Sequence, residues 1–104
     1  MSLQGELVMA QVKLDWTLTP TTPPSDTVLV NKKINDQPYV LGYAGLPGGT
    51  TTFTDTQAVP GDVHSYTVQD HNSDGISPVS NEVTVTIPAL NPPPAPTNLV
   101  ASLI

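Results

Sequence analysis

Apolar and polar residues alternate with a period of two through much of this chain, and proline and glycine cut the alternation into strand-sized pieces. Val12, Leu14, Trp16 and Leu18 share one parity and Lys13, Asp15 and Thr17 the other. In an extended chain that pattern puts the large residues on one core-facing side, Trp16 included. Pro20, Pro23 and Pro24 break the ladder, after which Thr27 to Lys33 (TVLVNKK) predicts a strand whose apolar run suits a central position, covered on both sides for part of its length. Asn35-Asp36 begins a turn. Tyr39 to Tyr43 (YVLGY) predicts a short strand that ends at the Gly45-Leu46-Pro47-Gly48-Gly49 turn cluster.

Three more strands follow in Thr51 to Thr86. TTFTDT is β-rich, QAVPGD is a Pro-Gly corner and HSYTVQD alternates; HNSDGISP supplies Asp74-Gly75, and NEVTVTI alternates again until Pro88. Glu6 to Met9 adds a candidate edge strand, giving six or seven strands with turn signals about every 8–12 residues. No segment carries the apolar stripe of an amphipathic helix, so no helix is expected.

Composition narrows the function classes. Three lysines, Lys13, Lys32 and Lys33, stand against nine acids, the formal charge is −6, and there is no arginine. A phosphate backbone or an anionic bilayer would be repelled, so neither nucleic acid nor membrane is an expected partner. Without cysteine the chain has no disulfide, thiolate metal site or thiol nucleophile. The opening residues MSLQGE have neither a basic nor an apolar signal region, and no apolar run approaches the ~20 residues that span a bilayer.

The order of these motifs resembles a fibronectin type III domain across Val12 to Ile87. Val12-Lys13-Leu14-Asp15-Trp16 is similar to that family's inward-Trp strand. Phe53 to Thr56, Pro60-Gly61, Tyr66-Thr67-Val68, Gly75 to Pro78 and Ser80 to Val83 fit its closing strands and corners in turn. The tail NPPPAPTNLVAS resembles a Pro-rich linker and the opening of a following repeat. The resemblance implies an all-β, seven-stranded antiparallel β-sandwich of fibronectin type III or immunoglobulin-like type over residues 5–89. Residues 90–104 would be a linker and the start of the next repeat. It further implies a non-catalytic spacer or protein-interaction module of a larger, extracellular or cell-surface multidomain protein, with neighbouring domains of the same polypeptide as partners. Two positions depart from the pattern: His64 stands where the family has its corner tyrosine, and Asp70 where a small apolar residue is common. Either His64 replaces that tyrosine's backbone hydrogen bond or the register slips so that Tyr66 makes it.

Candidate chemistry is sparse. Asp70 to Gly75 opens like a calcium loop, D-x-N-x-D-G, but Asn81 stands where the bidentate Glu belongs, and an Asp-Gly turn is the simpler reading. His64 and His71 are ~23 Å apart along an extended run and cannot share an ion there. Tyr39 and Tyr43 share parity ~13 Å apart; cross-strand packing is the plainer role, a stacking surface the functional one. The acids read as solvated groups on turns and strand exits rather than a paired hydrolytic site, and no nucleophile or phosphate-loop motif occurs. No catalytic residue, cofactor or metal site is therefore assigned. The candidate ligand surface is Tyr39, Tyr43, Asp70, Asn72 and Asp74, which would serve glycan or calcium-dependent binding to a glycan or protein partner. Alternating residues Thr97 to Ile104 could also add to a neighbour's sheet edge, giving tail-mediated self-association.

Overall fold

The computed structural model describes residues 9–104; the expected edge strand at Glu6 to Met9 and the start of the domain at residue 5 lie outside, or almost outside, that range. Within it the chain is all-β, with no helix and seven strands in two antiparallel sheets, an arrangement compatible with a β-sandwich. In chain order they are β1 (Ala10–Asp15), β2 (Thr27–Ile34), β3 (Val40–Pro47), β4 (Thr52–Ala58), β5 (Val63–Asn72), β6 (Gly75–Ile76) and β7 (Val83–Thr86). β1 pairs with β4. The larger sheet runs β3-β2-β5, with β6 and β7 both on the far edge of β5.

The period-two reading of the first strand holds: Val12 and Leu14 are buried, Trp16 is half-buried, and its indole Nε1 donates to the carbonyl of Thr50 at 2.8 Å. β2 sits between β3 and β5, and its middle residues Val30, Asn31 and Lys32 are all buried, so both faces are covered there, as its apolar run predicts. Val30, Tyr66 and Ile87 meet Val12, Leu14 and Ala58 in one core cluster between the sheets.

Two irregularities set what faces inward. Against β1, Ala10 pairs with Ala58 but Val12 with Asp55, so β4 carries one extra residue. Such a bulge reverses the parity beyond it. Asp55 and Ala58 are therefore both buried, while Gln57, which shares Asp55's parity in sequence, is exposed. In β3 the register against β2 shifts between Val30 and Lys32, opposite Gly42, whose φ of 67° suits a residue without Cβ.

β3 also continues past the expected turn. Gly45 pairs with Leu29, Leu46 with Val28 and Pro47 with Thr27, and the turn starts only at Gly48. Pro47 is tolerated because it ends an edge strand and needs no outward amide. Between β6 and β7, Pro78 interrupts the ladder, and serines complete it: Ser77 and Ser80 donate backbone amides to Asp70 and Val68 carbonyls at 2.8 and 2.9 Å. Their hydroxyls accept from the Asp70 and Val68 amides, both at 2.9 Å.

Candidate functional site: a buried polar centre between the sheets

The most concentrated chemistry lies in the core. Asp55, on the bulged β4, faces Lys32 of β2 and Tyr66 of β5, which are paired to each other across the larger sheet. Lys32 Nζ is 2.7 Å from Asp55 Oδ2, and the Tyr66 hydroxyl donates to the same oxygen at 2.6 Å. Asp55 Oδ1 accepts from the Tyr43 hydroxyl at 2.9 Å and the Gln57 amide at 3.0 Å, the latter brought back by the bulge. Lys32 Nζ also donates to the Gln57 carbonyl at 3.3 Å and lies 4.6 Å from the centre of the Tyr43 ring. Residual exposure is 1% for Asp55, 3% for Lys32 and 1% for Tyr66. A charge pair so far out of water persists only when its remaining donors and acceptors are also engaged, as they are here.

His64, two residues before Tyr66 on the same face of β5, completes the group. Its Nδ1 lies 3.4 Å from the Tyr66 hydroxyl and 4.0 Å from Asp55 Oδ2, and its fully buried Nε2 has no partner among the described residues. Among the described residues neither His64 nor Tyr66 makes the backbone bond expected of a corner tyrosine: Tyr66 turns inward to the Asp55 carboxylate and His64 to the Tyr66 hydroxyl.

The titration behaviour follows from this geometry. Burial alone would raise the Asp55 carboxyl, but the Lys32 ammonium, the Tyr66 hydroxyl, the Gln57 amide and the Tyr43 hydroxyl outweigh it and hold it at about 2. Burial, and then the Asp55 carboxylate, push the Tyr43 phenol up to about 12 and raise Tyr66 further. His64 is lowered by burial and by the Lys32 charge, so its imidazole stays neutral near pH 7.

On the opposite face of the larger sheet, buried Asn31 donates from Nδ2 to Thr67 Oγ1 at 3.2 Å and Gln69 Oε1 at 3.0 Å. Its Oδ1 accepts the Gly42 amide at 2.8 Å, which fixes the β3 irregularity.

The sequence-predicted candidates are dispersed. Tyr43 points at Asp55 and packs edge-on against Phe53, with ring centres 6.5 Å apart. Tyr39, just before β3, donates instead to Glu82 and lies under Lys33, whose neighbour Lys32 is the one beside Tyr43. Successive residues of a strand point to opposite faces, and the irregularity at Gly42 lies between the tyrosines, so they form no common platform.

Asp70, Asn72 and Asp74 do lie together, around the β5–β6 hairpin. Asn72 pairs with Gly75 across a Ser73-Asp74 turn, so a hairpin turn does form here, one residue before the expected Asp74-Gly75 pair. Asp70 Oδ1 accepts from Ser25 Oγ at 2.6 Å, Asn72 Nδ2 donates to the Pro23 carbonyl at 3.0 Å, and Asn72 Oδ1 accepts the Asp74 amide at 2.8 Å. With His71, Ser77 and Thr21 they line an open depression of about 270 Å³. His71 Nδ1 is 2.5 Å from Asp26 Oδ1, a bond that lowers the exposed Asp26 carboxyl. Among the described residues no three His, Cys, Asp or Glu side chains converge as metal ligands would.

The buried centre corrects the expectation that the acids are solvated, because Asp55 stands mid-strand in the core. A usable signal was its shared parity with Phe53 on β4, opposite the inward Lys32 and Tyr66. Compared with known proteins, the chain matches no family model and no curated protein sequence.

Proposed function

We propose that this chain is a fibronectin type III-like module acting as a non-catalytic spacer or interaction domain within a larger, extracellular or surface-displayed protein. The observation that carries the reading is the arm after β7. From Pro88 the chain runs on without regular structure, and the molecule measures 83 × 26 × 20 Å with a radius of gyration of 21.0 Å. A compact chain of this length would have a radius of ~13 Å. Pro92 to Pro94 and Pro96 stiffen such an arm by favouring polyproline II geometry. The domain's strongest polar groups are turned inward on one another, which suits a body that bears and positions rather than transforms.

Small-angle X-ray scattering of the chain tests this. A radius of gyration near that of the extended form supports a stiff spacer, and a value near the compact one contradicts it. The arm also exposes Leu99, Val100, Leu103 and Ile104, so self-association would run through it. Deleting residues 91–104 would then lower the solution mass by more than the segment removed.

A second reading, calcium- or glycan-dependent binding, is favoured by the depression that Asp70, Asn72 and Asp74 line. Calorimetric titration with calcium and a glycan panel separates the two: heat saturating at millimolar ligand supports binding there, and its absence leaves the spacer.

A further inference from the structure

We propose that Lys32 and Asp55 are the two ends of an intramolecular amide crosslink that joins the sheets, formed by condensation of the Lys32 amine with the Asp55 carboxyl. The bond would tie β2 of the larger sheet to β4 of the smaller one, in a chain that has no cysteine with which to make a covalent tie.

The reacting groups are already in register. Lys32 Nζ stands 2.7 Å from Asp55 Oδ2, and the two side chains are 3% and 0% exposed. Holding nucleophile and electrophile together out of water is what gives intramolecular reactions their very large effective concentrations. A dry site also favours the amide, because the water released has left it and hydrolysis needs water to return.

The balance needs no co-reactant. The Lys32 ammonium passes a proton to Asp55 Oδ2, leaving a neutral amine beside a neutral carboxylic acid. The nitrogen lone pair attacks Cγ, forming the new N–C bond and placing the developing negative charge on Oδ1. That oxygen already receives the Tyr43 hydroxyl at 2.9 Å and the Gln57 amide at 3.0 Å, two donors aimed where the charge appears. The nitrogen then loses a second proton to Oδ2, the Cγ–Oδ2 bond breaks, and Oδ2 leaves as water. One ammonium and one carboxylate become one amide and one water, with charge conserved.

Tyr66, on the departing oxygen at 2.6 Å, and the neutral His64 imidazole, 4.0 Å from that oxygen and 3.4 Å from the Tyr66 hydroxyl, lie on the path of the second proton. His64 is otherwise a buried polar side chain whose Nε2 has no partner among the described residues. The charged pair is the resting state and the neutral pair a minor one, so the reaction is a slow, single maturation event rather than a turnover.

Intact-mass spectrometry of the purified full chain, followed over days at neutral pH, tests the proposal. The expected result is the loss of one water, with a branched peptide joining a Lys32-containing fragment to an Asp55-containing one after digestion. Lys32→Arg keeps the charge but not the nucleophile and should hold full mass. Tyr43→Phe removes one donor to Oδ1 and should slow the loss about a hundredfold.

A wild-type chain that keeps its full mass overturns the proposal. So does a loss of water that persists in Lys32→Arg and maps to Asp74-Gly75, where an aspartyl-glycyl succinimide has the same mass. The branched peptide is read on the wild type alone, so the result stands even if a variant fails to fold.

Discussion

The Tyr66 hydroxyl donates a 2.6 Å hydrogen bond to Asp55 Oδ2, and this single contact crosses from the five-stranded sheet to the two-stranded one. Its acceptor is charged and its surroundings exclude water, so it is worth more than an ordinary hydrogen bond. Tyr66→Phe keeps the ring's packing and removes only the donor, and should cost about 1.5–3 kcal/mol. Urea unfolding should show a lower midpoint at unchanged slope. Tyr39→Phe, whose hydroxyl meets Glu82 at the surface, should stay within about 0.5 kcal/mol of the parent.

Stability should fall in two steps on acidification. His64 is depressed below its ordinary 6.5, so its contribution is complete above pH 6.5 and is lost as the pH falls below that value. Asp55 is depressed from 3.8 to about 2, so its contribution is complete above pH 3.8 and is lost as the pH falls through about 2. On the alkaline side Tyr43 is raised from 10.0 to about 12, and its contribution is lost as the pH rises between those values. Urea midpoints measured against pH should show these steps. His64→Leu should remove the first acid step, and formation of the Lys32–Asp55 amide should remove the second.

The glycines of the 45–49 segment should respond differently to alanine. A Cβ at Gly48 would lie 2.1 Å from the Ser25 carbonyl oxygen and 2.8 Å from Asp26 Cα, so the backbone itself must shift. Gly48→Ala should cost about 1–3 kcal/mol as an overpacking change. A Cβ at Gly45 meets only Leu29 Cδ2, at 4.0 Å, so Gly45→Ala should leave the melting temperature nearly unchanged. Thermal unfolding reads both, at roughly 4–8 °C per kcal/mol for a domain of this size.

This pair also marks how far the sequence could be read. β1 and β5 were legible because their large residues recur at one parity, and β2 because its apolar run marks a strand covered on both faces. The end of β3 was not, because Gly45 and Pro47 look like a turn unless one knows that the strand is an edge. Gly42, an isolated glycine in YVLGY, was a readable sign of the irregularity that parts Tyr39 from Tyr43.

The Asp55 centre was hardest to see. Charged residues default to solvent, the extra residue in β4 has no local marker in TDTQA, and Lys32, Asp55 and Tyr66 meet only after two sheets have packed. His64 departs from the resembled pattern, and the structure places it 3.4 Å from the Tyr66 hydroxyl that bonds the Asp55 carboxylate.

If the domain is a spacer, calorimetry with calcium at millimolar concentration should give no saturable heat, and Asp74→Ala should leave both that result and the urea midpoint unchanged. Saturable binding lost in Asp74→Ala would assign the β5–β6 hairpin a ligand instead.

The central claim is that Lys32 and Asp55 act as one unit holding the two sheets together, and a double-mutant cycle of unfolding free energies tests it most directly. Lys32→Met should strand a buried carboxylate and Asp55→Leu a buried ammonium, each costing about 3–5 kcal/mol. The double variant, which removes both charges, should be more stable than the sum of the single losses implies, by about 2 kcal/mol or more. Losses that add to within about 0.5 kcal/mol would mean that the two residues are independent, and would contradict the account.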